Sequence, residues 1–197
     1  MRGMSRSGAG LVAGIGLLLA GIAGCAQPEQ AAESAEAAMA AAPSVELGEY
    51  LVRTSGCDDC HTPKLMTEQG PALDASRRLS GHPAAEAMPA VPAGVLTADG
   101  WAGLMNAGAT AWAGPWGVSF AANLTSDATG IGTWTEEQFV AALRSGKHMG
   151  SGRDILPPMP WQVYGQKTDE DLKSIFAYLK TVAPVANVVP QPVPPGM

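Results

Sequence analysis

Cysteine and histidine are scarce in this chain, and their scarcity narrows its chemistry: 197 residues hold three of each. Cys57 and Cys60 form a single Cys-x-x-Cys pair, with one further cysteine and two further histidines scattered widely. A structural zinc site would need a second pair of ligands at comparable spacing, so that reading is disfavoured. Long apolar runs are lacking as well. Residues 11–23 form a stretch of thirteen apolar or glycine residues, shorter than the roughly eighteen that span a bilayer. Basic residues are in the minority, 12 Lys and Arg against 18 Asp and Glu, for a net charge of −6, which argues against a nucleic-acid partner.

What is present centres on Cys57, Asp58, Asp59, Cys60 and His61. Cys-x-x-Cys-His is the signature of covalent c-type haem attachment, in which each thiol adds to a vinyl group and the imidazole takes one axial position on iron. Two thiols three positions apart on a helical turn lie on one side of the backbone and reach the same porphyrin edge. The sequence therefore predicts one covalently bound haem c. A zinc knuckle and a thioredoxin-like redox pair are the alternatives.

The third cysteine fits a different chemistry. Arg2 and Arg6 supply a positive start, residues 11–23 an apolar run, and Ile22-Ala23-Gly24-Cys25 ends in small residues before a cysteine. Residues 1–24 thus resemble a bacterial lipoprotein signal whose cleavage leaves Cys25 lipidated; a plain membrane helix is the other reading. With Cys25 on lipid and the other two on haem, no thiol remains for a disulfide. Removal of residues 1–24 takes away two arginines and no acid, so the remaining chain carries ten basic and eighteen acidic side chains, net −8. Such a surface suits a redox partner with a basic docking patch, unless the acids are simply solvated. Residues 25–43 are rich in Ala and Glu and read as a tether that could extend up to about 60 Å.

The haem domain is expected over residues 44–184, with a Pro-rich tail at 185–197 that needs no fold. Val45, Leu47, Tyr50 and Leu51 predict a first amphipathic helix. Thr135 and Gln138 predict a capping box opening a helix with Phe139, Val140, Ala142 and Leu143 inside and Gly146 at its end. Thr168 opens a final helix with Leu172, Ile175, Phe176 and Leu179 facing the core, stopped by Pro184. Residues 82–120, rich in Ala, Gly, Pro and Trp, show no strong period beyond a short helical piece at 98–105. Trp101, Trp112 and Trp116 either anchor this loop or form an aromatic lid over the haem edge.

For the sixth iron position, Met159 sits in Leu156-Pro157-Pro158-Met159-Pro160-Trp161, where prolines hold a thioether with little entropy left to lose. Met149 and His148 compete from the preceding turn. At these residues the chain resembles the class I c-type cytochromes, and in its Asn-Leu-Thr, Thr-Gly-Ile-Gly-x-Trp and Met-Pro elements it is similar to the haem domains of bacterial alcohol and gluconate dehydrogenase cytochrome subunits. Those subunits carry several attachment motifs; one is present here. The resemblance implies an all-α, cytochrome c-like fold around one haem, with residues 82–120 as a long insertion. It implies Cys57 and Cys60 as thioether residues, His61 as proximal ligand and Met159 as distal ligand. It also implies a carbonyl at Gly70-Pro71 accepting the other ring N–H of the axial histidine, where a simple turn is the alternative. Trp134 and Arg153 are candidate donors to the haem propionates, an indole N–H and a guanidinium being natural carboxylate partners, or else structural residues.

These readings add up to a lipid-anchored, periplasm-facing electron carrier with no catalytic residues of its own. An outer-membrane address is favoured, by resemblance to other lipoproteins, because Ala26 rather than Asp follows Cys25. A haem subunit of a membrane dehydrogenase or oxidase is the second reading. A haem enzyme or gas sensor is the third, weakened by the lack of a distal His and Arg pair with recognisable spacing.

Overall fold

The computed structural model describes residues 42–97 and 99–195. The expected signal, Cys25 and the tether up to residue 41 lie outside them. Two helices cross at the heart of the fold. Helix α1 (Val45–Thr54) starts at Ser44, whose Oγ accepts from the Leu47 N–H at 3.0 Å, and it buries Gly48 and Val52. Helix α5 (Asp169–Leu179) opens with a Thr168/Asp171 capping box and buries Leu172, Ile175, Phe176 and Leu179, the stripe read from sequence. The helix ends at Leu179, five residues before the proline expected to stop it. The helices meet where Gly48 lies on the Ser174 carbonyl: a Cβ at Gly48 would stand 1.9 Å from that oxygen. This close approach turns α1 about its axis relative to the expected face, so Tyr50 and Val45 are exposed while Gly48 and Val52, one turn apart, face inward.

Helix α2 (Cys57–His61) carries the Cys-x-x-Cys-His motif, and helix α3 (Glu136–Ser145) has the predicted Thr135/Gln138 capping box, with Gly146 left-handed at its end. Phe139 and Leu143 of α3 join Val52, Leu79, Ile131, Leu172, Ile175 and Phe176 in one core; the Phe139 and Phe176 rings lie 5.4 Å apart. Helix α4 (Trp161–Tyr164) is a single turn after the proline loop. Because the Thr135 hydroxyl accepts from the otherwise orphaned Gln138 N–H, Thr135→Ala should cost about 1 kcal/mol and Thr135→Ser much less, a difference that urea unfolding would read.

The all-α expectation is overturned. Besides these five helices, the described residues form five strands in two antiparallel sheets. Strands β1 (Lys64–Thr67) and β2 (Gly70–Leu73) make a hairpin shortly after His61, with Gly70-Pro71 opening its second strand. Strands β3 (Leu104–Met105), β4 (Ala111–Gly114) and β5 (Gly117–Phe120) form a meander in the order β3-β4-β5 within the segment read as a loop with a helical piece. Ala98 lies outside the described residues, and Leu104–Met105 is strand. The β3–β4 turn is built by Asn106, whose Oδ1 accepts from the N–H groups of Thr110 and Ala111 at 2.8 and 2.9 Å. The β4–β5 turn needs Gly117, at φ +93°, where a Cβ would also strike the Val193 carbonyl at 2.0 Å.

The Pro-rich tail also departs from expectation. Val193 exchanges two backbone hydrogen bonds with Val118, 2.8 and 2.9 Å, on the edge of β5. Buried Asn123 donates to the Val185 carbonyl at 2.9 Å, and Asn187 donates to the carbonyls of Ser80 and His82 at 2.7 and 2.9 Å. Among the described residues, no helix is long and apolar enough to cross a membrane.

Candidate functional site

The sheet, the tail and α2 to α4 surround one cavity of about 890 Å³, within the ~300–1,000 Å³ of small-molecule and cofactor sites. Its walls include Cys60, His61, Trp134, His148, Arg153 and Met159, which lie far apart in the chain. Ile131, Phe139 and Leu143 give it an apolar side, Trp112 and Phe120 come from the meander, and residues 188–192 come from the tail.

His61 is buried, and its Nδ1 lies 2.8 Å from the Ala122 carbonyl. A carbonyl only accepts, so Nδ1 carries the proton and Nε2 keeps its lone pair, the arrangement that a metal-binding imidazole needs. Burial lowers the His61 pKa despite the Ala122 bond, which keeps the ring neutral. The acceptor expected at Gly70-Pro71 is therefore replaced: Pro71 pairs with Met66 inside the hairpin, and the chain after β5 supplies the carbonyl. A backbone carbonyl supplied by an alanine leaves no trace in a sequence.

Cys57 and Cys60 are free thiols on one helix, Cys60 on the cavity wall and Cys57 packed against the core. Burial, then the neighbouring Asp58, pushes the Cys57 thiol up to about 11, and burial also raises Cys60. Among the described residues, no group of three or more His, Cys, Asp or Glu side chains is gathered as a metal site.

The helix bearing the motif is fixed by residues that the sequence reading passed over. Asp58, inside the motif, accepts from Arg78 at 2.6 and 3.0 Å and from Thr62 Oγ1 at 2.7 Å, while Arg78 also donates to Tyr178 of α5 at 2.7 Å. Buried Thr62 in turn accepts from the Leu79 N–H at 2.9 Å. A charged pair that is mostly shielded from water thereby ties α2 to α5. Tyr164 lines the cavity and donates to the Ser55 carbonyl at 2.5 Å, and burial pushes its phenol up to about 12.

Both rivals for the sixth position reach the cavity. Met159 is partly buried and packs against the core, while the His148 ring meets Trp134 edge-on at 4.9 Å and its backbone N–H bonds the Arg153 carbonyl. Met149, at φ +54°, is not among the cavity's lining residues. Arg153 donates to the Asp154 carbonyl at 3.1 Å and lies on the wall with Trp134. Of the three tryptophans in the meander region, Trp101 is 70% exposed, Trp112 lines the cavity, and Trp116 packs on Gly114.

The residues present suit a c-type haem: a bare imidazole nitrogen, a thioether, two thiols one helical turn apart, and apolar walls. No protein-family model matches the chain. It is 33% identical to the fructose dehydrogenase cytochrome subunit of Gluconobacter japonicus over 86% of this chain and 27% of that protein. It is 31% identical to the gluconate 2-dehydrogenase cytochrome c subunit of Pantoea cypripedii over 73% of this chain and 24% of that one. It is 28% identical to the cytochrome c subunit of alcohol dehydrogenase (quinone) from Gluconobacter oxydans, over 72% and 22%. The chain thus spans about a quarter of the length of these curated relatives. On these matches, the chain is a homologue of the cytochrome c subunits of bacterial fructose, gluconate and alcohol dehydrogenases.

Proposed function

We propose that the chain is a single-haem c-type electron carrier working beside a dehydrogenase, with His61 and Met159 as axial ligands and Cys57 and Cys60 as thioether residues. The observation that carries this is the shared cavity, whose walls bring His61, its ring oriented by the Ala122 carbonyl, together with Cys60 and Met159. When bound, the haem supplies the one-electron ferric–ferrous couple. The protein's part is to hold it rigidly. The thiols on α2 fix the ring, Asp58 and Arg78 keep α2 against α5, and the apolar wall of Ile131, Phe139 and Leu143 excludes water. Trp134 and Arg153, both on the cavity wall, would donate to propionate oxygens. Trp112, on the meander side of the cavity wall, would screen a bound haem from solvent. Electrons arrive from a dehydrogenase subunit, as the relatives' names suggest, and the acidic surface of this chain suits a basic docking patch.

Anchoring belongs to the same proposal: residues 1–24 are a signal, and Cys25 carries lipid on the periplasmic side of a bacterial membrane, with the outer membrane favoured. Protein made in a bacterium competent for cytochrome c maturation should exceed the mass of its processed polypeptide by one haem plus its lipid, and should titrate as a one-electron couple. Polypeptide without tetrapyrrole would overturn the proposal. Cys25→Ser should move the haem protein from the membrane fraction to the soluble one; retention on the membrane would refute the lipid anchor alone.

A further inference from the structure

The segment that carries Met159 has few means of holding itself in place. Pro157, Pro158 and Pro160 have no N–H, so the backbone around the methionine must be fixed through its carbonyl oxygens. Its far end is pinned locally: the Met159 carbonyl accepts from the Trp161 N–H at 2.9 Å, and the Pro160 carbonyl from the Val163 N–H at 2.9 Å. Its near end is pinned from elsewhere. The Pro157 carbonyl accepts from Ser119 Oγ of β5 at 2.5 Å, across 38 residues of chain.

Ser119 is 6% exposed and has one proton to give. Trp116 Nε1 lies 3.2 Å from the same Oγ, and an indole N–H can only donate, so the Ser119 hydroxyl is an acceptor toward Trp116 and a donor toward Pro157. The polarity of the relay is thereby set. Trp116 cannot swing away easily, since its ring lies on Gly114, where an added Cβ would come within 2.4 Å of it. Strand β5 is itself held on both edges, by β4 and by Val193 of the tail.

Resting on the reading of Met159 as an iron ligand, we infer that Trp116 and Ser119 are positioning residues for that ligand. The meander within residues 82–120 is then the clamp that keeps the thioether in place, not an appendage. A net hydrogen-bond contribution near 1 kcal/mol corresponds to about a fivefold change in a competing equilibrium.

The test uses the ferric holoprotein and added imidazole, which displaces a weakly held methionine. Ser119→Ala should raise the apparent affinity for imidazole about fivefold and should lose the far-red charge-transfer band of thioether-ligated iron at a lower temperature than the parent. Ser119→Thr, which keeps the hydroxyl, should return toward the parent. Trp116→Phe should shift both readouts in the same direction by less, and it decides the matter if Ser119→Ala yields no folded protein. Imidazole affinities within twofold of the parent for Ser119→Ala and Trp116→Phe, where folded, would overturn the inference. The underlying ligand assignment fails separately: it falls if Met159→Ala keeps the band, whatever Ser119→Ala does.

Discussion

Met159→Ala should abolish the far-red charge-transfer band of the ferric protein, let the ferrous form bind carbon monoxide promptly, and lower the reduction potential by roughly 0.1–0.3 V, inside the ~0.8 V that axial ligands span. A thioether favours ferrous iron, and removing it leaves water or a harder ligand that favours ferric iron. The side chain is partly buried against the core cluster, so its loss opens space on the cavity side, with no neighbouring thioether on the walls except the more exposed Met105. His148 is the informative control because it lies on the same wall. His148→Ala should leave the band in place. A parent protein that shows no band, together with a spectral change on His148→Ala, would move the sixth ligand to the imidazole and refute the assignment to Met159.

Gly48→Val should be strongly destabilising, costing about 3 kcal/mol or more and lowering the unfolding temperature by roughly 10 °C. A Cβ at this position meets the Ser174 carbonyl oxygen at 1.9 Å, its carbon at 2.6 Å and the Tyr178 Cβ at 2.7 Å. All three belong to the backbone of α5 or its first side-chain atom, so no flexible chain end can give way and the helices must part. The gain in helix propensity on replacing glycine, about 0.5–1 kcal/mol, is too small to compensate. Thermal unfolding followed by far-UV circular dichroism reads the effect, and Gly48→Ala should lie between the parent and Gly48→Val. Unfolding of Gly48→Val within a degree or two of the parent would show that the crossing is not so tight.

Legibility in the sequence followed the strength of local chemistry. The capping box at Thr135 was readable because it places a hydroxyl and a matching side chain three residues apart, Thr168 was readable as a helix start, and the apolar stripe from Leu172 to Leu179 has a full helical period. The meander was not. Its strands are two to four residues long and draw on Ala and Gly, which have little strand preference, so neither length nor composition signals them. Strand pairing there is set by Asn106, Gly117 and the distant Val193, and only the first two leave a local mark. Cys57, Cys60, His61 and Met159 carry their chemistry in side chains and so stood out as candidates. The Ala122 and Pro157 carbonyls did not, because any residue presents the same oxygen, and Ser119 looks like any strand serine until its partner is known.

The pairing of Val193 with Val118 reaches beyond the cavity. An antiparallel meander with a bare outer strand offers its spare N–H and C=O groups to any passing polypeptide, and the two-residue length of β3 protects only the opposite side. Here the last stretch of the chain occupies that position, while the residues just before it wall the cofactor cavity. Peeling this stretch away would therefore open the cavity to water and bare an adhesive rim in the same motion, so that wetting of the interior and self-association become two outcomes of one event.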